Sequence, residues 1–224
     1  MIDTPIFITA AARSGTSMTA GVIHKCGAWG GIMAGPTPYN KRGMFENRQV
    51  VDSLVKPCLS ALGYDPMGQN PLPPDVEVFK RGDASRWRQS VLSIMLSQGY
   101  KNGPMFYKGA KMCLMWPLWH RAFPNAKWII VRRLDEDIVN SCMKTSFMRG
   151  YKDASGWQGW VEKHLDRFDE MKRANLDIVE VWPQKMVHGN FEEIKFVVEK
   201  LGLKWNEREV IDFILPALWN GGKG

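Results

Sequence analysis

The chain predicts an α/β fold, a three-layer arrangement with a mostly parallel β-sheet flanked by helices. Three observations carry this expectation. Short apolar runs without polar alternation, IFI at 6–8 and WIIV at 128–131, suit strands buried on both faces. Segments of helical apolar spacing lie between them, as with Val51, Leu54, Val55, Leu59 and Leu62. The first strand runs into a turn of small residues and a helix start, PIFITAAARSGTSMTAGVIHKCG at 5–27. Strands alternating with helices build a parallel sheet, whose ligands sit beyond the carboxyl ends of the strands.

Element by element, 5–10 reads as the first strand and 15–26 as the helix after it. Segment 35–45 is a Gly/Pro-rich loop, 48–62 a helix, and GYDPMGQNPLPP at 63–74 a second loop. A helix over 84–98 precedes a short strand, MFYK at 105–108. The helix from 112 to 123 carries Pro117 as an irregularity, and WIIV is the clearest strand. Helices follow over 135–147 and 157–174, KMVHG reads as a last strand near 185–188, and helices near 191–201 and 206–218 close the chain. No repeat or low-complexity segment interrupts this order, and one domain over 1–224 is expected.

With 224 residues, 45% hydrophobic and 24% charged, the chain can bury roughly 70% of its unfolded surface and needs no metal or disulfide to fold. No apolar stretch approaches the ~20 residues of a membrane span, and no signal peptide is visible. A cytoplasmic location is expected. The cysteines, Cys26, Cys58, Cys113 and Cys142, have no paired spacing and read as reduced thiols. The histidines, His24, His120, His164 and His188, show no metal spacing, so no metal is expected. Net charge is +7, which suits an anionic ligand or a plain basic surface. No basic run reaches five residues, and a nucleic-acid partner is not expected.

The turn at 10–17 has the parts of a phosphate site. Unpaired N–H groups and the helix dipole favour an anion at a helix start. Gly15 permits close backbone approach, Arg13 adds a fork of donors, and Ser14, Thr16 and Ser17 add hydroxyls. Against the pattern G-x-x-x-x-G-K-[ST], Gly15 aligns with the second glycine, Ala10 with the first and Thr16 with the lysine. The loop is P-loop-like and nucleotide-binding in architecture, without the lysine that neutralises β/γ-phosphates.

At these residues the chain resembles the sulfotransferases that use 3′-phosphoadenosine 5′-phosphosulfate (PAPS). Arg13, Ser14, Gly15, Thr16 and Ser17 match the family's P-R-S-G-T-[ST] loop, with Ala12 where proline is usual. A second motif, WIIVRRLDEDIVNS at 128–141, resembles the family's strand ending in Arg with Ser eight residues on: Arg133 and Ser141, with Asp137 between. Arg132 leaves the register open by one. Arg at a strand end and Ser in the next helix can clamp one phosphate monoester; the resemblance implies the 3′-phosphate of PAPS. Residues 107–133 resemble the family's K-D-P-R-L-C-L-T-L-P-x-W segment, with Lys108 at the lysine, Lys111 at the arginine and Gly109-Ala110 in place of Asp-Pro. KRGMFENRQVVDSL at 41–54 resembles G-x-F-E-x-x-x-[IV]-V.

The resemblance implies sulfuryl transfer from PAPS as co-substrate to a hydroxyl or amine, releasing PAP (3′,5′-bisphosphoadenosine) with no metal. Arg13 faces the charge growing on the leaving phosphate, and Lys108 is a second cation near the transferred group. Glu46 is the candidate base, a sheltered glutamate with raised pKa, or else a partner of Arg42 or Arg48. His120 and His24 are secondary bases. The acceptor, a small molecule or a glycan, is expected against 35–45 and 145–160, with Tyr39, Met44, Phe147 and Tyr151. Trp157, Trp160, Phe168 and His164 recur at helical spacing and read as core. Three other functions fit parts of the pattern: a P-loop small-molecule kinase using ATP–Mg²⁺, a basic nucleic-acid-binding protein, and a family member that has lost turnover.

Overall fold

Four strands, β1 (Ile6–Thr9), β2 (Phe106–Lys108), β3 (Lys127–Val131) and β4 (Ile178–Val181), form one parallel sheet in the order β2-β1-β3-β4. They belong to a computed structural model that describes residues 4–219; the Gly-rich 221–224, to which the sequence gives no role, lies outside the described residues. Between β1 and β2 run α1 (Thr16–Lys25), α2 (Arg48–Val50), a π-helical turn (Val51–Val55), α3 (Lys56–Ala61), α4 (Glu77–Lys80) and α5 (Ala84–Ser97). A 3₁₀ turn (Ala110–Met115) and α6 (Trp116–Ala122) join β2 to β3, and α7 (Asp135–Met143) and α8 (Ala154–Arg173) join β3 to β4. Then come α9 (Pro183–Val187), α10 (Glu192–Lys200), α11 (Glu207–Phe213) and a 3₁₀ turn (Pro216–Leu218).

Strand side chains alternate between two cores, as a period of two demands. Phe7, Tyr107, Trp128 and Ile130 meet α5, α6 and α8 on one face, while Ile6, Ile8, Phe106, Ile129 and Val131 meet α1, α10 and α11 on the other. The Phe7 ring stands edge-on to Trp119, Phe123 and Trp128, with centroids 5.3, 5.5 and 5.0 Å away. Each such contact adds about 0.5–1.5 kcal/mol beyond area burial. The α/β class, the parallel sheet and helices on both faces all stand as predicted. No helix among the described residues is long and apolar enough to cross a membrane.

The expected strand at 185–188 is helix α9, and the last strand lies earlier, at Ile178–Val181. Pro183 fixes φ and suits a first helical turn. β4 is an edge strand, and its Glu180 bonds Arg132 and Lys172 at 2.9 and 2.7 Å, so it lacks a continuous apolar run. The helix foreseen over 112–123 splits at Trp116, with Pro117 seated in the first turn of α6. The helix foreseen over 135–147 stops at Met143.

The strand order places the site. The chain moves from β1 outward to β2, then returns past β1 to β3. The crevice beyond the carboxyl ends of β1 and β3 is the switch point of the sheet, where α/β proteins bind ligands.

Candidate active site

Beyond β1 the backbone turns through two residues of left-handed conformation, Arg13 at φ 74° and Gly15 at φ 91°. For a residue with a Cβ this costs about 1–2 kcal/mol, so the Arg13 conformation is held by its surroundings. Gly15 is the N-cap of α1 and has no side-chain capping bond, and the first turn of α1 holds no acid. The partial positive charge of that helix end is therefore left unneutralised by the chain. A Cβ on Gly15 would stand 3.0 Å from both Pro183 and Trp219, so a side chain there would meet a tight contact as well as an unfavourable φ.

A cavity of about 610 Å³ opens at the strand ends, lined by Arg13, Gly15, Thr16, Ser17, Glu46, Lys108, Arg133 and Ser141 among others. Eight of the nine site residues expected from sequence thus share one wall system. The ninth, Ser14, is buried in the turn and does not line it. The two anion anchors, the turn at 13–17 and the Arg133/Ser141 pair, touch each other. Arg13 Nε donates to Ser141 Oγ at 3.0 Å, and Arg133 Nη1 donates to the Arg13 carbonyl at 2.8 Å. Asp137 Oδ2 lies 3.6 Å from Arg133 Nε. Arg132 turns toward β4, with Nη1 2.9 Å from Glu180 Oε1, whereas Arg133 lines the cavity. Burial pushes both Arg13 and Arg133 down from the ordinary arginine value, countered at Arg133 by Asp137. Both remain charged, and an anion would offset their desolvation.

Lys108, the last residue of β2, is 3% exposed and meets Glu46 Oε1 at 2.7 Å; Glu46 is 17% exposed. A raised pKa was expected for Glu46, and here the expectation is corrected. Burial does push the carboxyl up, but the charges of Lys108, Lys111 and Lys56 and the Lys108 hydrogen bond outweigh it, and the net direction is down. Neither Arg42 nor Arg48 pairs with it: Arg42 bonds the Asp212 carbonyl instead.

His24 is exposed on α1 and His120 lies on α6; neither lines the cavity. The histidine that does is His164, whose Nδ1 lies 2.8 Å from the Trp160 carbonyl. Burial brings it down to about 4, so it is neutral. Trp157, Trp160 and Phe168 are buried as core, and Trp160 also lines the cavity. Tyr39, Met44 and Phe147 line it as expected, whereas Tyr151 packs edge-on to Trp157 at 5.2 Å.

Two contributions went unread in sequence. Gln69 ties the loop at 63–74 to the one after α7: its Nε2 donates to the Phe147 carbonyl, and its Oε1 accepts from Arg149 N and Gly150 N. The segment after α11, foreseen as helix to 218, returns to the cavity and sets the Trp219 ring 4.5 Å from the Arg133 guanidinium carbon. Pro216 is the one signal that helix 206–218 would break.

No family model matches the chain, and no curated protein does. Among solved structures it resembles sulfotransferase STF1 from Mycobacterium tuberculosis H37Rv, with a TM-score of 0.55 and 16% identity over 95% of this chain and 71% of that one. It also resembles sulfotransferase STF9 from Mycobacterium avium, at 0.58 and 12% over 95% and 67%. The sulfotransferase domain of the Synechococcus PCC 7002 olefin synthase gives 0.54 and 12% over 95% and 78%. The fold is that of the sulfotransferases; identities this low carry the fold and not the activity.

Proposed function

We propose that the chain is a sulfotransferase that moves a sulfuryl group from PAPS to an acceptor hydroxyl or amine by in-line displacement, releasing PAP. The observation that carries this reading is the crevice between β1 and β3, where an uncapped helix start, Arg13, Ser141 and Arg133 converge. Among the described residues, seven cations, Arg13, Lys41, Arg42, Lys108, Lys111, Arg133 and Lys144, line the cavity against one carboxylate, Glu46, a balance suited to a polyanion.

When bound, PAPS supplies a sulfuryl group on a phosphate leaving group. The new bond forms between acceptor oxygen and sulfur, the bond from sulfur to the phosphate oxygen breaks, and its electron pair leaves with PAP. Arg13 and the amides at the start of α1 stabilise the charge that grows on that phosphate. Lys108 offers a second cation beside the transferred group. Glu46, held ionised by Lys108, receives the acceptor proton. Arg133 and Ser141 hold the 3′-phosphate. In-line positioning is the main requirement of such a transfer.

The kinase reading is weaker, because Thr16 stands where the phosphate-binding lysine would be. The test is binding calorimetry with EDTA present, followed by transfer from labelled PAPS. PAP should bind at least about tenfold more tightly, a gap of roughly 1.4 kcal/mol, than ATP–Mg²⁺ measured in its own buffer. Tighter binding of ATP–Mg²⁺ would reverse the assignment.

A further inference from the structure

We propose that Asn47 is a positioning residue for the transfer and that, paired with Gln98, it fixes the Glu46 carboxylate beside Lys108; the catalytic consequence rests on the sulfotransferase reading, whereas the placement does not. The need for such a device is geometric. Lys108 ends β2 and is held by the sheet. Glu46 lies between α1 and α2, outside any helix or strand, yet its Oε1 meets Lys108 Nζ at 2.7 Å. Three consecutive side chains leave this segment in three directions. Phe45, at φ 55°, sets its ring in the core, edge-on to Phe213 at 5.6 Å. Glu46 lines the cavity. Asn47, 1% exposed, turns to the end of α5. A left-handed conformation is unfavourable for phenylalanine and persists only where the surroundings enforce it.

Asn47 makes more hydrogen bonds than a helix cap needs. Its Oδ1 accepts from Val50 N at 3.2 Å, which caps α2. The rest of the amide is directed elsewhere. Nδ2 donates to Gln98 Oε1 at 2.7 Å and to the Gly30 carbonyl at 3.4 Å, and Oδ1 also accepts from Gln98 Nε2 at 3.3 Å. Two donors and two lone pairs are all a primary amide has, so its capacity is filled, mostly by groups outside α2. Gln98, the C-cap of α5, carries the tie onward, its Oε1 accepting from Ile32 N at 2.8 Å. Gly31 makes room for the pair: a Cβ there would stand 2.5 Å from Asn47 Nδ2 and overlap Gln98 Oε1. The Glu46 carbonyl accepts from Ala34 N at 2.8 Å, and Asn47 pairs with Met33 in an antiparallel bridge. The strip 30–34, anchored on α5, thus runs along Glu46, and a loop carboxylate gains the support of a helix.

Asn47→Ser separates capping from positioning, because serine caps a helix as well as asparagine does but cannot form the amide pair. Gln98→Met removes the pair and leaves the cap. Both variants should lower kcat, read from labelled PAPS with 2-naphthol as probe acceptor, about 10–100-fold, the scale of a small misplacement, with PAP affinity unchanged. Carbon-detected NMR of the resting protein follows the Glu46 carboxyl without turnover. Lys108, Lys111 and Lys56 face that group, and the Tyr107 hydroxyl senses its charge. Drawing it away from Lys108 should raise its titration midpoint by about one pH unit, and the acid limb of kcat with it. Asp83→Ala removes the cap bond to Arg86 N at the other end of α5; it should lower thermal stability and leave both readings at the parent value. Parent kcat and parent midpoint in Asn47→Ser overturn the proposal, as does a loss of kcat with the midpoint unmoved. A matching shift in Asp83→Ala marks general loosening and overturns it too. If Asn47→Ser fails to fold, Gln98→Met decides by the same readings. If the parent transfers nothing to 2-naphthol, the reaction is judged separately and the midpoint alone decides: raised in Gln98→Met it supports the placement, unmoved it overturns it.

Discussion

Two strand–turn–helix units border the same crevice and treat their helix starts in opposite ways. After β1, Arg13 and Gly15 adopt left-handed conformations, and α1 begins with no capping side chain and no acid. After β3, the turn passes through Leu134 at φ −59°, and α7 opens with Asp135, Glu136 and Asp137. The dipole of α7 is answered within the chain, whereas that of α1 is left for a ligand. The first unit offers backbone to an anion; the second offers one side chain, Arg133, aligned by Asp137. On the function proposed above, the β1 side, with Lys108 and Glu46 beyond it, would serve the reaction and the β3 side would hold the ligand.

The largest effect is expected at Arg13. Arg13→Ala should lower kcat by about 10²–10³, the loss typical of one donor to a developing charge, with a much smaller change in PAP affinity. Equal losses in both, measured by steady-state kinetics and calorimetry, would erase the division between the units. Next comes Glu46→Gln, which should lower kcat about 100-fold and leave PAP binding intact. Because the surrounding lysines overcome the effect of burial and depress the Glu46 carboxyl, the parent rate should stay level from neutral pH down to about 5. Its acid limb should fall below the ordinary glutamate value of about 4.3. An acid limb above the ordinary glutamate value would remove Glu46 from the role of base. The same depression makes the folded state favourable above the unfolded glutamate pKa, a contribution lost as pH falls through the folded one.

Arg133→Ala should weaken PAP about 10–100-fold, as loss of a hydrogen bond to a charged group does, with kcat at saturation little changed. Unaltered affinity would assign the grip elsewhere. The smallest effects compare the two turns directly. Gly15→Ala should cost about 1–2 kcal/mol of stability through its backbone conformation, and Leu134→Ala, at an exposed site, under about 0.5 kcal/mol. Equal denaturation midpoints for the two variants would remove the conformational contrast.

Much of the sheet was legible because buried strands write themselves as unbroken apolar runs, as WIIV does. β4 escaped because an edge strand that bonds Arg132 and Lys172 through Glu180 breaks that run. Arg13, Arg133 and Ser141 were readable as motif residues, since each stands at a fixed offset from a strand. Their mutual contacts were not, because bonds across 120 or 128 positions depend on how strands order themselves in space. The Glu46–Lys108 pair and its reversal of the expected pKa direction have the same origin: spacing says nothing of which lysines surround a carboxylate. The return of Trp219 to the cavity rests on a break after Phe213 that only Pro216 signals.

The turn at 13–15 also bears on how the protein can be altered. Its bowl is drawn by positive φ at two alternate residues, 13 and 15, and side-chain changes at 16 and 17 leave those torsions in place. A combinatorial library that diversifies 16 and 17 would explore new oxyanions on an intact scaffold. One that opens 15 to other amino acids would mostly sample collapsed bowls, so tolerance to change here should follow chirality before chemistry.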